Sequence, residues 1–148
     1  MKEKVRILDE RTVEVNLPNV NGYERIAMEC SASFAKIVGF RPERIEDLKT
    51  AVSEAILNAM EHGNRNSPDK RVIVIMNYED EVFSVTVMDE GGGIEQLPEE
   101  PDIDSKMEML KTPRGLGIFL IKQLVDQVEF NKLTSEGHMV RMEIKLTR

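Results

Sequence analysis

A carboxylate and a carboxamide lie four residues apart in the chain, at Glu54 and Asn58. Residues four apart are neighbours on one face of a helix, so a helix here would present both side chains together. Mg²⁺ prefers oxygen ligands and keeps several waters, so the Asn58 amide together with nucleotide phosphates would be enough to hold it. Glu54 would then be able to accept a proton from a hydroxyl group or water attacking a γ-phosphate. An exposed Glu and Asn on an ordinary amphipathic helix would have the same spacing, so the pair needs support from elsewhere.

A first glycine cluster runs from Asp89 to Ile94, directly after an apolar run that is typical of a strand. A carboxylate at the end of a strand can accept a hydrogen bond from an exocyclic amine such as adenine N6. Gly91 and Gly93 would let the backbone pass close to the base, because glycine has no side chain to obstruct it. The alternative interpretation of this segment is a tight acidic turn after a strand.

A second glycine cluster, Arg114, Gly115, Leu116 and Gly117, precedes an apolar segment that predicts a helix beginning near Ile118. Glycines at a helix start expose amide N–H groups, and the helix dipole favours phosphate there. Arg114 would add a charged contact to phosphate. The alternative is a flexible joint between loop and helix with a solvated arginine. The Walker pattern and a G-x-G-x-x-G motif after a strand are both absent, so a nucleotide site here would be of another kind.

The elements that must position these residues follow from hydrophobic periodicity. Alternating or β-rich runs predict strands, apolar stripes predict helices, and residues 95–113 form an acidic segment broken by prolines, which predicts a loop. The predicted strands cover 12–17, 71–76, 82–88, 127–133 and 139–146, and the predicted helices cover 23–38, about 42–62 and 118–125. This order favours an α+β fold in one domain, a two-layer sandwich with helices on one face of a mostly antiparallel sheet.

Composition limits the classes of function. The chain has 148 residues and a net charge of −7, which argues against direct binding of nucleic acid and permits basic protein partners. Cys30 is the only cysteine, so no internal disulfide can form and a reducing compartment is favoured. The two histidines, His62 and His138, are too few and too far apart to suggest a zinc site. Neither a signal peptide nor a run of membrane-spanning length is evident, so a cytoplasmic location without membrane contact is expected.

Taken in order, the three motifs resemble those of the GHKL ATPase superfamily. Residues 54–63 resemble its N box, residues 89–94 its first glycine box, and residues 114–117 its second. Within the superfamily the chain closely resembles the bacterial anti-sigma factor serine/threonine kinases, and the similarity extends from Val13 to about Leu146. The resemblance implies an α/β sandwich of the Bergerat type that binds ATP and Mg²⁺.

The resemblance also implies roles for individual residues. Glu54 would be the general base, Asn58 the Mg²⁺ ligand and Asp89 the adenine contact. The two glycine boxes would bind nucleotide, and residues 95–114 would form a lid over the phosphates. Family members bind a sigma factor, phosphorylate a serine or threonine on an antagonist protein of STAS type, and often form homodimers. Many relatives carry a threonine after a glycine on the late strand, whereas here Gly137 is followed by His138 and Met139, so that contact is left unassigned.

Three hypotheses of function remain open at this point. The leading one is a serine/threonine kinase that is also an anti-sigma factor. The second is a binding module that sequesters a transcription factor and uses nucleotide only to shape itself. The third is a stand-alone histidine-kinase catalytic domain. It ranks last because the chain has no phosphoacceptor-histidine helix pair and that family usually lacks a glutamate at the position of Glu54.

Overall fold

A computed structural model of the chain describes residues 8–91, 113–133 and 137–146. Its five strands form one antiparallel sheet in the order β1-β2-β3-β5-β4, with the helices packed against it, so the predicted α+β fold is confirmed. The elements are β1 (Thr12–Pro18), α1 (Glu24–Val38), α2 (Pro42–Asn58), a π-turn (Ala59–Gly63), β2 (Arg71–Glu79), β3 (Val82–Asp89), α3 (Pro113–Leu124), β4 (Gln127–Lys132) and β5 (His138–Lys145). The predicted loop lies outside the described residues except for Pro113. None of the helices in the described ranges has the length and apolar character that a membrane span requires.

The hairpin of β2 and β3 sets the register of the middle of the sheet. Asp80 and Glu81 both have positive φ angles, of 52° and 64°, as the two-residue type I′ turn of a tight hairpin requires. This turn pairs Val82 with Glu79 and therefore places Asp89 opposite Val72. Asp89 thus lies at the end of β3, the central strand, which is paired with β2 on one side and β5 on the other.

The hydrophobic core lies between one face of the sheet and the helices. Successive side chains of a strand point to opposite faces, so the alternating apolar residues of the central strands all face the helices. Residues separated by helical spacing supply the other layer. The buried side chains include Val72, Val74, Met76, Phe83, Val85, Val87, Met142 and Ile144 from the sheet, and Ala27, Ala35, Leu48, Val52, Ile56 and Ile121 from the helices. The face of α2 that carries the first motif is fixed by this packing.

The helical segment that was predicted to end at His62 changes its hydrogen bonding before it ends. Its α-helical part begins at Pro42, a residue suited to the first helical position, and ends at Asn58. The following π-turn is closed by the Asn64 N–H, which donates to the Ala59 carbonyl over 2.7 Å, five residues back. Such wide turns often occur at functional sites. Here the turn brings Gly63 beside the end of β3.

Candidate functional site

The helix face predicted to carry the first motif exists. Glu54 and Asn58 lie one turn apart on α2, and both are half-buried. Gly117 of α3 packs directly over them: a Cβ atom built on Gly117 would lie 2.9 Å from Glu54 Oε2 and 3.2 Å from Asn58 Nδ2. Neither side chain hydrogen-bonds or ion-pairs with another residue in the described part of the chain. Both polar groups are therefore available to a ligand.

The second glycine cluster lies within a helix, contrary to the prediction that it would precede one. α3 begins at Pro113, so the expected start near Ile118 is wrong by more than one turn. Proline suits the first helical position because its missing N–H has no helical partner there. A glycine inside a helix costs about 1 kcal/mol relative to alanine. Gly117 is tolerated because its missing side chain allows α3 to approach α2 closely.

Gly115 and Gly117, two of the residues predicted to contact phosphate, lie in the first turns of α3. The first N–H groups of an α-helix have no acceptor within the helix, and the dipole places partial positive charge beside them. Gly115 and Gly117 are buried, whereas Leu116 is 54 % exposed on the outer face. The side chain of Arg114 lies outside the described residues, as do Gly93, Ile94 and the predicted lid up to residue 112. Their predicted contacts with nucleotide stay predictions.

Asp89 is a buried carboxylate, only 7 % exposed, at the end of β3. Its Oδ1 accepts hydrogen bonds from the backbone N–H groups of Gly91 and His138, both over 3.1 Å. The His138 imidazole Nδ1 lies 3.6 Å from the same oxygen. Burial raises the pKa of Asp89 above its ordinary value, while the charge of His138 and these hydrogen bonds act in the opposite direction. The site therefore holds a desolvated acceptor whose orientation is fixed by its neighbours.

Two glycines allow the segments around Asp89 to meet. A Cβ atom on Gly63 would collide with the Asp89 carboxyl group, its Oδ1 lying 2.9 Å away. A Cβ atom on Gly91 would collide with the Gly63 carbonyl and lie 2.8 Å from the Asn64 Cα atom. The close contact of Gly91 is therefore with the backbone of the π-turn, and its predicted approach to a nucleotide base stays a prediction. Sequence reasoning missed this contact of Gly63, which directly follows the helix predicted to end at residue 62.

Asn58 lines two cavities. One is an interior space with largely apolar walls, and its polar lining includes Asn58, Asp89 and His138. The other is a cleft of about 290 Å³ between α2 and α3, lined by Glu54, Asn58 and Gly117 among others. The first cavity, of about 30 Å³, offers apolar walls and the Asp89 acceptor, and the second offers room for an anionic group beside the N-terminus of α3.

The side chains at the site favour a metal ion that is bound by oxygen atoms, both from the protein and from the phosphates of a nucleotide. Among the residues that the structure describes, no three His, Cys, Asp or Glu side chains are grouped closely enough to hold a metal ion. The Asn58 amide oxygen fits Mg²⁺, which accepts a single protein ligand when phosphates and waters complete its shell.

His138 is the residue at this site that sequence reasoning left unassigned. It begins β5, is buried and lines the same interior cavity as Asp89. Gly137 precedes it with a φ of 104° and passes against the backbone of Asp89, where a Cβ atom would overlap the carbonyl oxygen. The Gly-His pair was visible in the sequence. Its proximity to Asp89 follows only from the pairing of β3 with β5.

Known proteins are similar to this chain over most of its length. Residues 18–144 match the model of the histidine kinase-like ATPase domain. The chain is 31% identical to an anti-sigma F factor of Oceanobacillus iheyensis over 132 residues, which cover 88% of this chain and 89% of the relative. It is 36% identical to one of Clostridium perfringens over 106 residues, or 70% and 74% of the two chains. It is 29% identical to one of Bacillus subtilis over 127 residues, or 84% and 86% of the two chains.

Two solved structures share the fold at low sequence identity. The RsbU and RsbW domains of a Mycobacterium tuberculosis protein match with a TM-score of 0.67 and 17% identity, covering 93% of this chain and 33% of that one. A chain of the SiaB–SiaC complex from Pseudomonas aeruginosa matches with a TM-score of 0.61 and 13% identity, covering 91% and 90%. With the family model matched over most of its length, the chain belongs to the histidine kinase-like ATPase domain family.

Proposed function

We propose that the protein is an ATP-dependent serine/threonine kinase that also acts as an anti-sigma factor. In this role it binds a sigma factor and phosphorylates an antagonist protein of STAS type. Support comes from the relatives named anti-sigma F factor, which are similar over nearly their whole length. The structural observation that carries the proposal is the position of Asn58, which lines both the cavity of Asp89 and the cleft of Glu54.

Asp89 would recognise the adenine base. Its carboxylate lies in a cavity whose other walls are mainly apolar, which suits the faces of a purine ring. The exocyclic N6 amine is a donor, so it would donate a hydrogen bond to the carboxylate. Guanine carries a carbonyl oxygen at the corresponding position and would meet Asp89 with an acceptor instead. A preference for ATP over GTP therefore follows from the proposal.

The phosphates would lie in the cleft between α2 and α3. The N-terminus of α3 would present the positive end of the helix dipole to them. Asn58 would hold Mg²⁺ through its amide oxygen, and the bound ion would neutralise part of the phosphate charge. Glu54 lies on the same helix face, and its carboxylate is directed towards the position of Gly117.

Glu54 would act on the attacking group. In the proposed step, the substrate hydroxyl passes its proton to the Glu54 carboxylate while its oxygen forms a bond to the γ-phosphorus. The bond to the β–γ bridging oxygen breaks, and ADP leaves. The protein contributes mainly positioning and charge stabilisation to such a transfer. A positioned general base typically contributes about 10²- to 10⁴-fold to the rate.

The variant Glu54→Gln tests the assignment of the base. It keeps the size and shape of the side chain but cannot accept the proton, so we expect ATP affinity within about twofold of wild type and transfer slowed at least about 100-fold. Single-turnover transfer from radiolabelled ATP to a STAS-type antagonist of the native host measures this. Glu61→Gln is the matched control, because Glu61 is exposed and lines the same cleft. Equal transfer rates for wild type and Glu54→Gln would refute the assignment.

The same labelled product separates the remaining hypotheses. Phosphoserine and phosphothreonine survive acid, whereas phosphohistidine does not, so we expect acid-stable label on the antagonist. Acid-labile label would instead favour the histidine-kinase hypothesis. Capture of a sigma factor from the native host, with no phosphorylation of any co-captured protein, would favour the nucleotide-modulated binding module.

Charge and exposed apolar surface support the proposed partners. The net charge of −7 suits a basic sigma-factor surface in the cytoplasm, where transcription takes place. Exposed apolar side chains lie at Tyr23, just before α1, and at Ile26 and Ile37 on α1, the last 82 % exposed. The strand β1 forms one edge of the described sheet. Exposed apolar side chains and an unpaired strand edge are features of protein interfaces, and a second copy of the chain is the proposed occupant.

A further inference from the structure

Asn64 connects the end of the central strand to three other segments. It follows the π-turn and is only 2 % exposed. Its Nδ2 group donates to the Asn19 Oδ1 atom over 3.2 Å and to the Arg71 carbonyl over 3.0 Å. Its Oδ1 accepts the Glu90 N–H over 2.9 Å. Both amide hydrogens and the amide oxygen are therefore used, so the orientation of this side chain is fully determined.

Asn19 anchors Asn64 from the opposite side. It directly follows β1, is also buried, and donates from Nδ2 to the Ser67 carbonyl over 3.1 Å and to the Met60 carbonyl over 3.4 Å. The two asparagines thus join the end of β1, the π-turn, the loop before β2 and the end of β3. Buried polar networks that are fully satisfied are rigid, and they specify one arrangement of the segments that they connect.

The bond from Asn64 acts on the peptide group that carries the proposed adenine contact. The Glu90 N–H belongs to the peptide bond that leaves Asp89, so holding it fixes the backbone from which the Asp89 side chain projects. The next N–H along the chain, that of Gly91, donates to Asp89 Oδ1. Glu90 is held at two further points, since its Oε2 accepts the Arg71 N–H over 2.7 Å and its carbonyl accepts from Lys70 Nζ over 3.2 Å.

From these contacts we infer that Asn64 is a positioning residue for nucleotide recognition, which fixes the end of β3 so that the Asp89 carboxylate meets the base. The inference rests on the proposed function of Asp89. Asn64 itself touches no reacting atom in this scheme. The ordinary alternative is an asparagine that only stabilises the fold. The two roles predict different ATP affinities for a folded variant. Loss of a purely structural residue would leave the ATP affinity of the folded protein unchanged, whereas loss of a positioning residue would lower it.

The decisive variant is Asn64→Ala, studied in the full chain below its unfolding temperature. It removes the acceptor for Glu90 N–H together with both donors, so we expect ATP affinity to fall about tenfold, which corresponds to 1.4 kcal/mol. Calorimetric titration with Mg²⁺-ATP measures this. The matched control is Asn77→Ala: Asn77 is part-buried on β2 and donates to Thr12 Oγ1 over 3.0 Å, far from the end of β3. The control should bind ATP within twofold of wild type.

The conservative variant Asn64→Asp separates position from stability. It keeps an oxygen for the Glu90 N–H but loses the donors to Asn19 and Arg71. We therefore expect its urea concentration at the midpoint of unfolding to be equal to or lower than that of Asn64→Ala. Its ATP affinity should nevertheless lie closer to wild type than that of Asn64→Ala. If affinity instead follows stability across the two variants, or if folded Asn64→Ala binds ATP like wild type, the inference is overturned.

Amide hydrogen exchange provides a readout that does not need ATP. In the ATP-free Asn64→Ala protein, exchange at the Glu90 amide should accelerate about tenfold relative to wild type, while amides in the middle of β2 keep their rates. Unchanged exchange at the Glu90 amide would overturn the inference, whether or not the wild type binds ATP. A wild type that binds no ATP would instead refute the proposed function. If Asn64→Ala does not fold, Asn19→Ala provides the test. It should raise the exchange rate of the Glu90 amide and weaken ATP binding about threefold. An unchanged exchange rate or an unchanged ATP affinity would refute the positioning role.

Discussion

Replacement of Gly117 by alanine should separate the stability of the protein from its activity. A Cβ atom at this position would lie 2.9 Å from Glu54 Oε2 and 3.2 Å from Asn58 Nδ2, whereas ordinary contacts begin at 3.4 Å. The Glu54 carboxylate would therefore have to move away by at least about 0.5 Å, the difference between 3.4 Å and 2.9 Å. Both contacting atoms are at the ends of flexible side chains, so they can move without a shift of the backbone.

The substitution should leave the stability unchanged or raise it, whereas it should lower the rate of phosphoryl transfer. Alanine is favoured over glycine in a helix by about 1 kcal/mol, so the free energy of unfolding should stay the same or rise by up to that amount. A displacement of about 1 Å in a catalytic group can cost about 100-fold in rate, so half of that displacement should cost about tenfold. Urea unfolding measures the first effect, and single-turnover transfer from radiolabelled ATP measures the second.

Gln123→Ala is the control for a substitution on the same helix, since Gln123 is exposed on α3 away from the cleft. It should change neither property appreciably. Transfer at the wild-type rate in Gly117→Ala would show that the Glu54 and Asn58 positions seen here are not those used in catalysis. A loss of more than about 1 kcal/mol of stability would show that the two helices separate, which would refute the argument that only side-chain ends move.

Three further predictions concern the buried acid and the outer surface. Asp89→Asn should weaken ATP binding about 10- to 100-fold, because a hydrogen bond to a charged acceptor is worth about 1.5–3 kcal/mol. Burial raises the pKa of Asp89 above 3.8 in the folded chain, so its contribution to stability is fully present below that pH and is lost as the pH rises through the raised pKa. Wild type should therefore lose stability relative to Asp89→Asn between acid and neutral pH in urea unfolding, and a constant difference would contradict this. For the proposed dimer, sedimentation should show concentration-dependent association that Ile37→Glu weakens; a wild type that is monomeric at every concentration would refute it.

The local parts of the site were predictable because they depend on short-range geometry. The spacing of Glu54 and Asn58 places them on one face of any helix, and the apolar stripe around them fixes that face inward. The alternating strands placed Asp89 at a strand end in the same way. The helix start at Pro113 was missed because the periodic pattern begins only at Ile118, and a proline and two glycines ahead of it are also typical of a loop.

The contacts that complete the site depend on segments far apart in the chain. Asn64 bonds to Glu90 across 26 residues, and the His138 N–H reaches Asp89 across 49. No periodicity in the sequence encodes these meetings, since they require the strand register and the π-turn together. The need for glycine at position 63 is likewise visible only once the Asp89 carboxyl group lies against it.

The sequence by itself determined the family resemblance, the α+β fold and the pairing of an acid with an amide on one helix face. These depend on residue types at fixed short spacings, which survive in any fold that forms those elements. Only the tertiary structure decided that Asn58 borders both cavities, that His138 lies beside Asp89 and that Asn64 holds the end of β3. The physical reason is that hydrogen bonds between distant segments form only where packing of the core has brought the backbones within about 3 Å of their partners.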